Sequence, residues 1–279
     1  MSETALVLGG GGVTGVAWEL GILTGLASAG VDLSKADLVV GTSAGSVVGT
    51  FVAAGIDLEE RYERQTGAST GEAAARLGLP QIARFGLTML VSRDAVSYAA
   101  RIGKMALAAP TMPEATRREV IVQRLGVTEW PTRRLLVTAV DAETGEFRAF
   151  DRDSGVSIVD AVGASCAVPG VWPPVTIGGR RYIDGGIRST TNADLASGCS
   201  RVVIIAPVSF GGRHIPRVTA QAAALRASGA SVVVITPDAA AKQAIGRNVL
   251  DPARRPGSAR AGRAQATTIA DQVAQTWIA

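Results

Sequence analysis

The stretch Val39-Val40-Gly41-Thr42-Ser43-Ala44-Gly45-Ser46 constrains this chain more than any other. It sets an apolar strand, a sharp turn and a helix in succession, with Ser43 at the apex of a G-x-S-x-G pattern. A strand that turns into a helix within two residues brings the two backbones together. Gly41 and Gly45 remove the Cβ atoms that would collide there. The turn leaves the Ser43 hydroxyl at a helix N-terminus, where unpaired amides and the helix dipole favour developing negative charge. The same residues also describe a glycine-rich loop with an ordinary N-cap serine. Only the rest of the chain separates these two readings.

With 279 residues, 47% hydrophobic and 19% charged, the chain can bury a sizeable core, in one large α/β domain or two small ones. Aromatics are only 4%, so that core is aliphatic. The net charge of +4 is a property of residues 240–279, where Lys242, Arg247, Arg254, Arg255, Arg260 and Arg263 outweigh Asp251 and Asp271. The main body is neutral, which leaves no nucleic-acid footprint on it. This tail is either a solvated helix face or a dock for anionic lipid, and so few clustered charges favour the first. Cys166 and Cys199 lack metal-ligand spacing and read as free thiols of a reducing compartment. The N-terminus shows no basic stretch followed by an apolar run, and no apolar run approaches the ~18 residues of a membrane span. The expectation is a soluble cytoplasmic protein without metal or cofactor, meeting membranes only peripherally.

Along the chain, residues 5–8 form a short buried strand, followed by the glycine run 9–12 and an amphipathic helix reaching about Ser28. Trp18, Ile22, Leu23 and Leu26 share one side of that helix. A second strand, 38–40, leads into the elbow and a helix over 44–54. Residues 57–126 read as helical, with periodic spacing over 58–65, 71–77, 94–108 and 113–125. The apolar stretch 80–112 is either a helical cap over the site or a set of helices covering the sheet; apolar helical stripes are usually core, which favours covering. Residues 134–140 and 146–151 are a hairpin pair, and 157–164 a short helix. A strand over 180–183 ends at Asp184. The β-branched runs 202–208 and 231–236 suit central parallel strands buried on both faces. Helices are expected over 216–228 and 238–249 and from about Gly257. Together these predict a single doubly wound, mainly parallel α/β sheet flanked by helices, with a helical cap region. Residues 5–197 carry the motifs and 198–279 complete the same unit.

Acyl transfer needs a nucleophile, a base and donors for the oxyanion. Ser43 is the candidate nucleophile. Bare amides of the glycine run, Gly10, Gly11 and Gly12, together with the amide of Ala44, are the candidate oxyanion donors. The run also spells G-x-G-x-x-G through Gly10, Gly12 and Gly15, a dinucleotide signature. That reading needs an acid at the end of the second strand, whereas Asp32 and Asp37 precede it and the strand ends in the elbow. The base is less obvious. The order Ser43, Asp184, His214 suits a hydrolase triad, but His214 reads as an exposed loop residue. Asp184 precedes Gly185 and Gly186, which let another backbone approach and suit a carboxylate presented directly to the serine. A turn-capping aspartate has the same local sequence.

Three motifs in order resemble the patatin-like phospholipase family: residues 10–15 of the glycine run, Gly41-Thr42-Ser43-Ala44-Gly45, and Asp184-Gly185-Gly186. The segment Ala164-Ser165-Cys166-Ala167-Val168-Pro169, with Pro174-Val175 downstream, is similar to that family's A-S-x-A-x-P run. The resemblance spans about residues 5–197. It implies a Ser43–Asp184 dyad without a catalytic histidine, an oxyanion hole of glycine-loop amides, and hydrolysis of lipid acyl esters through an acyl-enzyme. Thr14 stands where the family usually has Arg or Lys, which weakens the expectation of a phospholipid headgroup and leaves room for a simpler ester or a lysolipid.

Overall fold

The computed structural model describes residues 3–67, 75–76 and 78–278. Its described strands form one sheet: β1 (Thr4–Leu8), β2 (Leu38–Gly41), β3 (Arg134–Asp141), β4 (Phe147–Phe150), β5 (Val175–Ile177), β6 (Arg180–Asp184), β7 (Arg201–Ile205) and β8 (Ser231–Ile235). They are hydrogen-bonded in the order β5-β6-β3-β2-β1-β7-β8, with β4 also paired to β3. Five strands from β3 to β8 run parallel, while β4 and β6 lie antiparallel to β3 and β5 antiparallel to β6. The mainly parallel α/β sheet is therefore present, with an antiparallel margin in which β5 adds a short strand that the sequence pattern did not announce.

Alternation along the strands explains the continuous apolar runs. Leu6 and Leu8 of β1 face α1 (Gly12–Ser28), α2 (Ala44–Ala53) and the C-terminal helix, whereas Ala5 and Val7 face the opposite layer. With both faces covered, every residue of β1 and β2 is buried. Each fully buried Leu or Ile contributes about 1.5–3 kcal/mol relative to exposure.

The first helix differs from the amphipathic expectation. It starts at Gly12, inside the glycine run, and is buried without interruption from Thr14 to Leu26. The reason lies at the other end of the chain. Arg255–Trp277 forms the longest helix and packs along α1, with Ala259, Gly262 and Ala266 set against Trp18, Gly21 and Gly25. Trp18 donates its indole N–H to Gln265 at 3.2 Å. The expected outer face of α1 is thus a second interface.

The remaining described helices are α3 (Leu58–Thr66), α4 (Leu79–Val91), α5 (Ala95–Ala108), α6 (Glu114–Leu125), α7 (Ile158–Ser165), α8 (Val218–Ala227), α9 (Ala239–Ile245) and the long α10 already placed. The expected helix over 71–77 falls outside the described residues except at 75 and 76, which carry no regular structure. Strand β7 stops at Ile205, and α9 stops at Ile245, where Gly246 adopts φ +71°. Helix α5 packs Tyr98, Ala99 and Ile102 on Val140 and Ile183 of the sheet, and Phe85 and Met89 of α4 pack on the same cluster. Of residues 80–112, Met112 alone lines the cavity around Ser43, so α4 and α5 cover the sheet rather than the site. Among the described residues, no helix is long and apolar enough to cross a membrane.

Candidate active site

The register of β3 brings the two motif-bearing turns together. Val137 pairs with both Gly41 of β2 and Phe150 of β4, and Ala139 pairs with both Arg148 of β4 and Asp184 of β6. A strand has two edges, so β2 and β6 share the edge opposite β4. They meet end to end across Thr138. Their antiparallel directions point the end of β2, which carries the elbow, at the end of β6, which carries the aspartate.

Local sterics then set the two turns. Ser43 has φ +52°, a left-handed conformation rarely taken by a side-chain-bearing residue, and it caps α2. A Cβ on Gly45 would overlap the Leu8 carbonyl, so only glycine lets α2 start this close to β1. A Cβ on Gly185 would overlap Thr138, which is how the aspartate turn comes so near the strand.

Ser43 and Asp184 are both buried, at 7% and 6% exposure. Burial pushes the Asp184 carboxyl up to about 6, against opposing hydrogen bonds from the Ser43 hydroxyl and the Gly186 amide. The Gly186 amide donates to Asp184 Oδ1 at 2.8 Å. The two motif residues, 141 positions apart, are thus neighbours, close enough for the Ser43 hydroxyl to hold the carboxyl down. His214 is elsewhere, and it is not the exposed loop residue the sequence suggested. It is buried, stacked on Tyr98 with centroids 5.9 Å apart, and its Nε2 lies 3.1 Å from the Ser92 carbonyl. The apolar cluster under α5 accounts for that burial.

The glycine run divides in two. The Gly10 amide donates to the Thr190 carbonyl at 2.8 Å, and the Gly9 amide to Ile205 at 2.9 Å. Gly10 therefore cannot supply the oxyanion donor expected of it: its N–H is committed to anchoring the loop. Among the described residues nothing accepts from the amides of Gly11, Gly12 or Ala44, which sit at or just before the first turns of α1 and α2, where backbone donors have no helical partner. Gly15 lies in the first turns of α1 against Ala44. Gly10 packs against Ser43.

Several positioning residues carried no signal that the motifs exposed. Asn192, fully buried with φ +50°, donates its amide to Thr42 Oγ1 (3.0 Å), Thr138 Oγ1 (3.3 Å), and the carbonyls of Gly185 (3.3 Å) and Ser189 (3.0 Å). One side chain thereby ties the elbow, β3 and the aspartate turn together. Ser165 accepts from the Ser43 amide at 2.9 Å, and the Cys166 thiol donates to the Ser43 carbonyl at 3.3 Å. The A-S-x-A-x-P run is therefore a buttress of the elbow. Burial, then the neighbouring Asp184, pushes the Cys166 thiol up, so it stays protonated. Both cysteines are free. Glu19, fully buried on α1, is pushed well above the usual carboxylate range by burial, with the Gly9 amide opposing.

A cavity of about 280 Å³ opens on Ser43. Its walls are mostly apolar, including Val13, Val16, Val47, Val120, Val168 and Trp172. Leu250 and Pro252 also line it, so the chain beyond residue 197 helps build the site. Thr14 does not face it: its hydroxyl is buried and donates to the Val249 carbonyl at 3.2 Å. The cations of the cavity come instead from α6, as Arg117 and Arg124. Arg117 is buried with its guanidinium 3.9 Å above the Trp172 ring. No cluster of three or more metal-ligating side chains occurs among the described residues.

The sequence description of patatin-like phospholipases matches residues 6–197. The chain belongs to that family. It is also similar in structure to VipD from Legionella pneumophila, at 14% identity and TM-score 0.49 over 98% of this chain and 67% of that one. The type III effector protein ExoU matches at 17% identity and TM-score 0.46 over 98% of this chain. The chain spans about two thirds of the first and 53% of the second.

Proposed function

We propose that this protein is a serine-dependent lipid acyl hydrolase in which Ser43 is the nucleophile and Asp184 the base. Membership of the patatin-like phospholipase family supports lipid acyl hydrolysis in broad terms. The observation that carries the finer reading is the proximity of Ser43, at the mouth of an apolar cavity, to a buried carboxyl raised to about 6. An ordinary carboxylate is too weak a base to take a serine proton efficiently; desolvation raises its basicity toward the working pH.

In this mechanism Asp184 accepts the Ser43 proton as Oγ attacks the ester carbonyl. The developing oxyanion lies against the unpartnered amides of Gly11, Gly12 and Ala44 at the positive ends of α1 and α2. Collapse expels the alcohol, which leaves with the proton held by Asp184. Water then enters, gives its proton to the same carboxylate, and cleaves the acyl-enzyme to release the acid and restore Ser43. The apolar walls receive the acyl chain. Peripheral contact with lipid surfaces is the expected mode of access. Three of the tail arginines are already engaged internally: Arg255 Nε donates to Gln65 Oε1 at 2.9 Å, Arg254 to the Gln243 carbonyl at 3.2 Å, and Arg263 pairs with Glu59. Those three are poor candidates for a lipid dock. A fluorophosphonate probe tests the nucleophile. Wild type takes the label and hydrolyses p-nitrophenyl acyl esters, and Ser43→Ala does neither; labelling that survives in a folded Ser43→Ala protein would sink the assignment.

A further inference from the structure

We propose that the outer face of α4, together with the loop against it, docks on an anionic lipid surface beside the mouth of the Ser43 cavity. The choice of a lipid partner rests on the hydrolase reading above, and the proposal adds where the protein meets that lipid. Helix α4 turns only one arc inward. Phe85 and Met89 pack on the apolar cluster of α5, and Thr88 donates its hydroxyl to Met105 Sδ at 3.8 Å. The helical repeat sets Ile82, Gly86, Leu90, Ala83, Leu87 and Val91 in order around the other arc. All six are exposed, Leu90 at 70%. Eight large apolar side chains are exposed among the described residues, and four of them lie on this arc. A fifth, Phe210, belongs to the loop after β7 and is 59% exposed. That loop reaches α4 where Gly212 abuts Met89 and Arg213 Nη1 donates to the Leu90 carbonyl at 3.3 Å. Single exposed apolar side chains are ordinary, but five gathered on one helix and its neighbouring loop mark an interaction surface.

Charge and position say what covers it. Residues 79–93 and 208–217 carry Arg84, Arg93, Arg213 and Arg217 and no carboxylate. All four arginines are exposed, and none is paired with a carboxylate among the described residues. Asp94, next along the chain, is engaged in capping α5, where it accepts from the Ser97 amide at 2.7 Å. An apolar helical face with cations at its margin suits a helix lying in a lipid interface, its apolar side chains among the acyl chains and its guanidinium groups among anionic headgroups. A second copy fits poorly, because a two-fold contact would set the arginines of one α4 region against those of the other. The position favours lipid. Gln81, in the first turn of α4, lies against Gly170, between Val168 and Trp172 of the cavity wall. A bilayer seated on α4 therefore lies beside the cavity that receives the acyl ester.

Flotation with vesicles of phosphatidylcholine, alone or mixed with phosphatidylglycerol, makes the test on wild type and on Ser43→Ala, whose binding does not depend on turnover. Both bind the mixed vesicles at least tenfold more tightly than the neutral ones. Leu87→Ser/Leu90→Ser lowers the affinity for mixed vesicles at least tenfold. Arg84→Gln/Arg93→Gln removes most of the preference for mixed vesicles, and Arg84→Lys/Arg93→Lys restores it. Hydrolysis of dissolved p-nitrophenyl butyrate stays within twofold in these three variants. Leu90→Trp keeps the face apolar and gives a direct readout: relative to wild type, its added emission shifts to the blue on mixed vesicles and is quenched by brominated acyl chains. Absence of vesicle binding by wild type, binding that neither the serine nor the glutamine pair changes, or a Leu90→Trp emission that vesicles leave unmoved overturns the proposal. So does a wild-type dimer that Leu87→Ser/Leu90→Ser dissociates, since the face would then be a contact between copies. Wild type that floats with the vesicles but leaves the dissolved ester intact refutes the hydrolase reading and leaves the dock standing.

Discussion

Asp184→Asn separates what the buried carboxyl does for chemistry from what it costs the fold. Its pKa of about 6 in the folded protein lies above the ordinary aspartate value of 3.8. The folded state therefore holds this proton more tightly than the unfolded chain. Stability from this group is fully present below pH 3.8 and is lost as pH rises through about 6. Proton linkage puts the cost of the ionised carboxyl at about 1–2 kcal/mol at pH 5 and about 3 kcal/mol at pH 8. Asparagine keeps an oxygen for the Gly186 amide and never ionises. It should raise stability by roughly those amounts, with the gain growing between pH 5 and pH 8, while ester hydrolysis disappears. Urea unfolding of both proteins at the two pH values reads the difference as a shift in midpoint at constant slope. A variant less stable than wild type at pH 8, or a stability gain that does not change between the two pH values, would refute the claim that Asp184 is a desolvated, ionised base.

Other outcomes follow from the same geometry. With a neutral p-nitrophenyl ester, kcat/KM should drop about tenfold per pH unit below about pH 6, because protonated Asp184 cannot accept the serine proton; a flat profile down to pH 5 contradicts it. His214→Ala should leave kcat within threefold while costing about 1–3 kcal/mol in unfolding free energy, since it removes a buried stack on Tyr98 and a bond to Ser92; a loss of activity near 10³-fold would make it a catalytic residue. Asn192→Ala should cost about 2–4 kcal/mol, through its four acceptors and its left-handed backbone, and should lower kcat more than it raises KM.

Much of the candidate site was legible in the chain because its turns make strict local demands. A strand that doubles into a helix needs small residues beside the serine, and Gly41 and Gly45 show that need directly. Bare amides need glycines, hence the run before α1. Two misreadings have one cause. The inward side of α1 was visible, but its outward side is covered by α10, some 240 residues later, so the helix is not amphipathic. His214 sits in a loop whose sequence is polar and glycine-rich, yet α5 folds over it.

What the sequence by itself determined is therefore a pair of steric necessities: a serine at the apex of a strained turn, and an aspartate before two glycines. Their meeting was decided by tertiary structure alone. It depends on β2 and β6 sharing one edge of β3 and abutting at Thr138, and on Asn192 pinning both turns. The same holds for Arg117 and Arg124 of α6, which line the cavity on Ser43. The physical reason is that pairing register and the packing of distant helices are properties of the assembled sheet, and no local run of residues encodes them.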